Sequence, residues 1–243
     1  MGLAISFRDA VFLAGRFPLL AGVTLLVDDG EVVHLRGANG AGKTSLLRAC
    51  AGLLPLTSGA AEVLGHDLSL DRATLRCDVG LLGHATFLYD DLSVEENLRF
   101  AVRAARRPTD AIAPAMDRLG LAERLSRTPV AKLSTGQRRR VALAVLLARR
   151  PRLWLLDEPH AGLDEAGREV VDDIVAELRA AGSTVLIASH ELERAQAIAD
   201  RVVTVAGGQA HVEAPEGAVG PPGASAPVRV VPRHLPEVGC DVA

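Results

Sequence analysis

Residues 37–44 of the chain form the octapeptide Gly37-Ala38-Asn39-Gly40-Ala41-Gly42-Lys43-Thr44. The octapeptide fits G-x-x-x-x-G-K-[ST], a pattern that lies between a strand and a helix. On either side of the octapeptide, the stretch Glu31–Leu35 predicts the strand, and Ser45–Ala51 predicts the helix. Glycines let successive backbone N–H groups curl around a phosphate, and the helix N-terminus adds a partial positive charge. The sequence therefore predicts a phosphate-binding loop.

Two side chains at the end of this loop have a predicted role of their own. The chain has only two lysines, Lys43 and Lys132, among 27 basic residues, so Lys43 stands where arginine is otherwise used. We expect Lys43 to reach the β- and γ-phosphates of ATP and the Thr44 hydroxyl to ligate Mg²⁺. The predicted nucleotide-binding residues here are Gly37, Asn39, Gly40, Ala41, Gly42, Lys43, Thr44 and Ser45.

A second predicted site element follows the apolar strand Leu153–Leu156, which ends in Asp157 and Glu158. Adjacent strand residues point to opposite sides, so the two carboxylates can have different functions. We expect Asp157 to hold Mg²⁺ and Glu158 to polarise the water that attacks the γ-phosphate. An acidic pair after a strand is otherwise a common helix cap, and it is the phosphate-binding loop that favours the catalytic interpretation.

Composition excludes several classes of protein. The 243 residues have a net charge of −3, without the basic excess of a nucleic-acid-binding domain. The three cysteines, an odd number without paired spacing, argue against a disulfide scaffold or a zinc site, and they favour the reducing cytosol as the compartment of the protein. The longest purely apolar run, Val141–Ala148, is far shorter than the roughly 20 residues that span a bilayer, and the first residues lack a signal-peptide pattern.

Alternating apolar strands and helices predict an α/β fold. Further strands are predicted at Val185–Ala188 and Val202–Val205, and a helix at Glu165–Ala181. Strands are absent between Ser93 and Arg150, where Ser93 and Glu96 form a capping-box pattern before a helix at 94–106, and we predict an inserted helical lobe over about residues 84–150. Residues 1–206 are predicted to form one domain, and the Gly/Pro-rich residues 207–243 a flexible tail.

The sequence Leu133-Ser134-Thr135-Gly136-Gln137 lies before a helix at 138–149 and between the two elements described above. It resembles the signature of ATP-binding cassette (ABC) ATPases, with Thr135 in place of the usual glycine. The resemblance implies a P-loop NTPase fold of ABC type, in which a mostly parallel sheet carries an N-terminal antiparallel β-layer and the helical lobe. It also implies that Ser134, Gly136 and Gln137 face a nucleotide held by another subunit, in a homodimer or a heterodimer.

Other predicted roles also rest on this resemblance. Asp164 is in the position of the D-loop that crosses the dimer interface, and His190 is in the position of the switch histidine that contacts the γ-phosphate. His84 replaces the glutamine that senses Mg²⁺ and water at the junction of sheet and lobe. For the aromatic residue that stacks on adenine, counting from Leu3 gives Phe12, counting back from Gly22 gives Ala14, and Phe17 is the other candidate. Phe12 and Phe17 are equally consistent with packing of the β-layer.

The stretches around His84 and residues 88–100, together with Gly136–Ala144, are similar to the ATP-binding subunit of the cytochrome c maturation haem exporter. The expected function is therefore ATP hydrolysis that powers a separate integral membrane subunit. The chain would lie on the inner face of the cell membrane, dock through the lobe and bind no nucleic acid. Two alternatives remain: transport of a drug, lipid or ion, or a non-transport ABC ATPase of translation or DNA repair.

Overall fold

The four predicted apolar strands lie in one six-stranded sheet of the computed structural model, which describes residues 2–191, 194 and 197–212. The strand order is β10-β9-β3-β8-β7-β6, with β9, β3, β8, β7 and β6 parallel and β10 antiparallel at one edge. Every residue of β7 and of β8 is buried, which explains their lack of polar alternation. The strands are β3 (Val32–Arg36), β6 (Val79–Leu82), β7 (Leu153–Asp157), β8 (Thr184–Ala188), β9 (Arg201–Ala206) and β10 (Gln209–Val212).

A second, antiparallel sheet of four strands covers one face of the first. Its order is β2-β1-β4-β5, and its strands are β1 (Leu3–Ala14), β2 (Phe17–Asp28), β4 (Leu56–Val63) and β5 (His66–Asp67). Phe7, Leu25 and Val63 of this sheet share a hydrophobic cluster with Leu155 of β7 and with Leu46 of helix α1 (Lys43–Cys50). The expected ABC-type arrangement of a mostly parallel core and an antiparallel β-layer is confirmed.

Helices cover the other face. They are α3 (Val94–Ala104), α4 (Ile112–Arg118), α5 (Thr135–Arg149) and α6 (Glu165–Ala180), and a short α2 (Arg72–Leu75) precedes β6. Short 3-10 helices span Thr109–Ala111 and Val130–Lys132. Helix α5 packs against α3, α4 and β6, so it joins the lobe to the sheet. None of the helices in the described residues is long and apolar enough to cross a membrane.

The predicted capping box at the start of α3 is confirmed. The Ser93 hydroxyl accepts a hydrogen bond from the Glu96 amide at 3.3 Å, and Glu96 Oε2 accepts one from the Ser93 amide at 2.8 Å. Helix α5 begins with a second capping box that the sequence reasoning did not identify, between Ser134 and Gln137. Such caps satisfy backbone donors that have no partner within the helix, and they fix where each helix begins.

The predicted start of the tail at residue 207 is wrong. Gly207 and Gly208 form a turn into β10, which pairs antiparallel with β9. The Gly208 amide donates to the Ala41 carbonyl at 3.1 Å, and the Gly208 carbonyl accepts from the Ala21 amide at 2.9 Å. The folded domain therefore extends to Val212 and supports the phosphate-binding loop through Ala41. The rest of the predicted tail, residues 213–243, lies outside the described residues.

Candidate functional site

A cavity of about 360 Å³ opens at the carboxyl ends of the parallel strands. Crevices at this edge of an α/β sheet are the usual place for a ligand. The predicted phosphate-binding loop forms one wall, and residues that follow β6, β7 and β8 form the others. The lining residues are Ala38, Asn39, Gly40, Ala41, Gly42, Lys43, Thr44, Ser45, His84, Arg139, Asp157, Glu158, Ala161 and His190. The structure thus brings together residues that were predicted from four separate motifs.

The loop backbone approaches its neighbours closely at Gly37. Its φ is 156°, and a Cβ atom there would lie 2.3 Å from the carbonyl oxygen of Val205, so only glycine fits. The Lys43 ammonium group donates hydrogen bonds to the carbonyls of Gly37 at 2.7 Å and of Ala38 at 3.2 Å. Lys43 is 8% exposed, so these carbonyls hold a nearly buried cation against the cavity.

Thr44 and Asp157 form the contact between the loop and β7. The Thr44 hydroxyl donates a hydrogen bond to Asp157 Oδ2 at 2.7 Å, and Asp157 is 6% exposed. A hydroxyl and a carboxylate are hard oxygen ligands, and magnesium is usually held by one or two such protein groups together with phosphates and water. The chemistry of these two oxygens fits magnesium, and Thr44 and Asp157 are the residues that would hold it.

Glu158 and His190 lie together at another side of the cavity. Glu158 Oε2 accepts a hydrogen bond from the His190 amide at 3.2 Å, and Glu158 Oε1 lies 3.4 Å from His190 Nε2. The Glu158 backbone is left-handed, with a φ of 48°, which costs about 1 to 3 kcal/mol for a residue with a side chain. Its amide donates to the carbonyl of Ala188 at 2.7 Å, which helps to hold this conformation.

Arg139 is a lining residue that the sequence reasoning missed. It is 5% exposed, and its guanidinium donates to the carbonyls of Gly83 at 2.6 Å, of Asp157 at 2.7 Å and of Glu158. Burial lowers the pKa of Arg139, and the charges of Asp157 and Glu158 partly oppose that shift. The run Arg138-Arg139-Arg140 predicts only a helix, and nothing in it indicates which arginine is buried.

The predicted signature residues lie apart from this cavity, at the start of α5. The Ser134 hydroxyl accepts from the Gln137 amide at 3.2 Å, and Gln137 Oε1 accepts from the Ser134 amide at 2.9 Å. A Cβ atom at Gly136 would lie 2.9 Å from the carbonyl oxygen of Gly162, so the loop before α6 limits the size of this residue. Ser134, Gly136 and Gln137 are not among the described residues that line the cavity.

Asp164, predicted to lie at a dimer interface, caps α6 in this chain. Its Oδ1 accepts hydrogen bonds from Arg140 Nη2 at 2.7 Å and from the Gly167 amide at 3.1 Å. The hydrogen bond from Arg140, followed by that from Gly167, holds the pKa of Asp164 below its usual value. Its side chain is still 66% exposed, so these local contacts leave part of the carboxylate accessible.

The prediction that Phe12 stacks on adenine is wrong. Phe12 has no exposed surface, and its ring packs 5.6 Å from that of Phe7, between the two sheets. Phe17, the other aromatic candidate, begins β2 and is 78% exposed. Of the two rings, only that of Phe17 is available for a ligand.

Comparison with known proteins gives the family. A family model described as ABC transporter matches residues 20–161, which is more than half of the chain. A cytochrome c biogenesis ATP-binding export protein, CcmA of Bordetella bronchiseptica, is 42% identical over 180 residues, which cover 72% of this chain and 77% of the relative. The human phospholipid-transporting ATPase ABCA7 is 32% identical over 86% of this chain, which spans only 10% of that much longer protein.

A solved structure agrees with these relatives. The dimeric bacterial ABC transporter cassette MJ0796 superposes with a TM-score of 0.77 at 25% identity, over 86% of this chain and 97% of that one. The family match, the relatives and the fold indicate the same family. The chain belongs to the ABC transporter family and is an ATP-binding subunit with that family's ATPase activity.

Proposed function

We propose that this chain binds Mg-ATP in the cavity of about 360 Å³ and that Glu158 activates the attacking water. The observation that carries the proposal is the convergence at one cavity of the glycine-rich loop, Lys43, the Thr44–Asp157 pair and the Glu158–His190 pair. Each group has the chemistry that phosphoryl transfer needs, because catalysis there depends on positioning and on stabilisation of negative charge.

In this proposal the loop binds the phosphates of ATP. Lys43 and the backbone of residues 37–45 face the β- and γ-phosphates, and Thr44 and Asp157 hold magnesium beside them. Magnesium, when bound, would neutralise negative charge on the phosphates and on the phosphoryl group in flight. Phe17 is the candidate that stacks on adenine, because its ring is exposed and the ring of Phe12 is buried.

The hydrolytic step uses the carboxylate that follows Asp157. Glu158 would accept a hydrogen bond from the attacking water and orient it towards the γ-phosphate. His190 would donate a hydrogen bond to a γ-phosphate oxygen, and its Nε2 lies 3.4 Å from Glu158 Oε1. His84 lines the same cavity and would offer a ring nitrogen to the water or to the metal shell.

A second ATP-binding subunit would complete the site. Ser134 is exposed at the start of α5, where the helix dipole favours an anion, yet it is not among the described residues that line this chain's own cavity. In a head-to-tail dimer, homodimeric or heterodimeric, Ser134, Gly136 and Gln137 would contact the nucleotide of the other subunit. The dimeric form of the related cassette MJ0796 supports this arrangement.

An exposed aromatic surface supports docking to a membrane subunit. Of seven aromatic residues in the chain, three are exposed in the stretch 87–100 that follows His84 in sequence: Phe87 (66% exposed), Tyr89 (52%) and Phe100 (49%). The rings of Tyr89 and Phe100 meet edge to face with centroids 4.9 Å apart. Exposed apolar patches of this kind mark protein–protein contacts. The chain would therefore lie on the inner face of the membrane, against an integral membrane partner.

Haem export for cytochrome c maturation is the cargo that we favour, because the Bordetella CcmA protein is 42% identical and of similar extent. Phospholipid transport is the second candidate, because ABCA7 is 32% identical over most of this chain. Both candidates use the same ATP-hydrolysing chemistry, and they differ in the membrane subunit that the aromatic surface would contact.

Replacing Glu158 with Gln should preserve Mg-ATP binding and slow turnover about a hundredfold or more, because the amide keeps the shape of the side chain and loses its basicity. The subunits should then remain associated as an ATP-bound dimer. Size-exclusion chromatography with and without Mg-ATP measures the dimer, and phosphate release measures turnover. A Glu158→Gln variant that hydrolyses ATP at the normal rate would remove Glu158 from this role.

The two phenylalanines should respond differently to substitution. Phe17→Ala should weaken ATP binding about threefold to tenfold, the value of one aromatic stacking contact, and leave the melting temperature unchanged. Phe12→Ala should lower the free energy of unfolding by about 3 to 5 kcal/mol, because it leaves a cavity between the sheets. Calorimetric titration and thermal unfolding separate the two effects. Full ATP affinity in Phe17→Ala would exclude Phe17 as the stacking residue.

Affinity purification of the tagged chain from detergent-solubilised membranes of its source should recover an integral membrane subunit with bound haem. Changing Phe87, Tyr89 and Phe100 together to Ser should abolish this recovery. The control Leu70→Ser removes an apolar side chain that is 85% exposed elsewhere, and it should leave recovery intact. Recovery of ribosomes or DNA instead would favour the non-transport alternative, and a membrane subunit with bound lipid would favour phospholipid transport.

A further inference from the structure

Arg139 is a buried cation whose hydrogen bonds go to the backbone. Among the described residues, its acceptors are the main-chain carbonyl oxygens of Gly83 at 2.6 Å, Asp157 at 2.7 Å, Glu158, and Pro159 at 3.5 Å. These carbonyls belong to two segments, one after β6 and one after β7. The guanidinium therefore connects helix α5 to both segments at the edge of the cavity.

The carbonyl of Glu158 is one of these acceptors, and Glu158 has the left-handed backbone described above. Its amide is held by the carbonyl of Ala188 at 2.7 Å, on the neighbouring strand. Arg139 holds its carbonyl from the opposite side. A residue whose amide and carbonyl are both held has little freedom at φ and ψ, so the direction in which its Cα–Cβ bond leaves the backbone is fixed as well.

The segment after β6 leads to His84. Arg139 Nη1 donates to the carbonyl of Gly83, the residue immediately before His84. Gly83 itself has no side chain to pack, and a Cβ atom there would meet nothing closer than 3.6 Å. The hydrogen bond from Arg139 is therefore a contact that holds the backbone of this peptide at the edge of the cavity.

We propose that Arg139 is a positioning residue for ATP hydrolysis, which holds the backbones of Glu158 and Gly83 so that Glu158 and His84 converge on the attacking water. The proposal rests on the proposed role of Glu158. Arg139 acts through that carboxylate and does not itself need to contact ATP.

The planar fork of an arginine suits this position, because its N–H groups point to several acceptors at fixed angles. A lysine would keep the charge with one ammonium group, and that group cannot reach both segments in the same geometry. Arg139→Lys therefore removes the positioning and retains the positive charge, which makes it the most informative substitution.

Helix α5 offers a matched control in Arg149. It is partly buried, which lowers its pKa, and its Nη2 donates to the carbonyls of Arg76 at 2.9 Å and of Val79 at 3.1 Å. It lies at the opposite end of the helix, near the start of β6 and away from the cavity. Arg149→Lys disturbs the same kind of contact without touching the segments that carry Glu158 and His84.

The test measures hydrolysis of Mg-ATP in single turnovers, with the purified chain in excess, together with the Kd for Mg-ATP. Misplacement of a catalytic group by about 1 Å can cost about a hundredfold in rate. Arg139→Lys should slow hydrolysis at least about tenfold and change the Kd less than about twofold. Arg149→Lys should change neither quantity by more than about twofold. If Arg139→Lys does not fold by circular dichroism, Arg139→Gln, which retains two N–H donors, takes its place.

A second measurement distinguishes positioning of Glu158 from a general structural effect. In the Glu158→Gln background, Arg139→Lys should slow the residual hydrolysis less than it does in the unchanged chain, because one of the two groups that it positions is already inactive. The inference is overturned if hydrolysis survives in Arg139→Lys, if rate and affinity fall together, or if Arg139→Lys slows hydrolysis as much in the Glu158→Gln background as in the unchanged chain. Normal hydrolysis by Glu158→Gln alone would instead overturn the proposed role of Glu158.

Discussion

The hydrogen bond of 2.7 Å between the Thr44 hydroxyl and Asp157 fixes the geometry of the whole site. These residues are 113 positions apart in sequence, and β8 lies between β3, which precedes the loop, and β7, which ends in Asp157. They meet because the loop after β3 turns into α1, which begins at Lys43, over the carboxyl end of β7. The close approach of Gly37 to β9 sets the path of the loop, and the phosphate-binding and hydrolytic groups then face one another.

Helix α5 links this site to the surfaces that would contact other proteins. Its first turn presents Ser134, one of its buried arginines holds the backbone of Glu158, and its body packs against the helices of the lobe. Arg138 also pairs with Asp90, within the stretch that includes the aromatic surface. Displacement of this one helix by a second subunit or by a membrane partner would therefore reach Glu158, the proposed catalytic carboxylate, through a short chain of contacts.

Much of the fold and the site follows from local sequence. Buried strands, capping residues and the glycine-rich loop are encoded within a few residues, so the loop and Asp157 could be assigned from sequence. The burial of Phe12 could not be predicted from sequence, because the pairing of β1 has register irregularities on both sides of this residue. Each such bulge changes which face of the sheet a side chain occupies. Burial of Arg139 depends on segments more than fifteen residues away in sequence, so the residues around it do not predict it. Gly207 and Gly208 suggested a flexible tail from composition, although they form a turn into β10.

The claim that Thr44 and Asp157 hold magnesium beside the phosphates is tested most directly by the magnesium dependence of ATP affinity in Thr44→Val. Valine has nearly the same shape as threonine and lacks the hydroxyl. Calorimetric titration with ATP, with and without magnesium, should show tighter binding with the metal for the unchanged chain and little or no such gain for Thr44→Val. An equal gain in both proteins would contradict the account of the site.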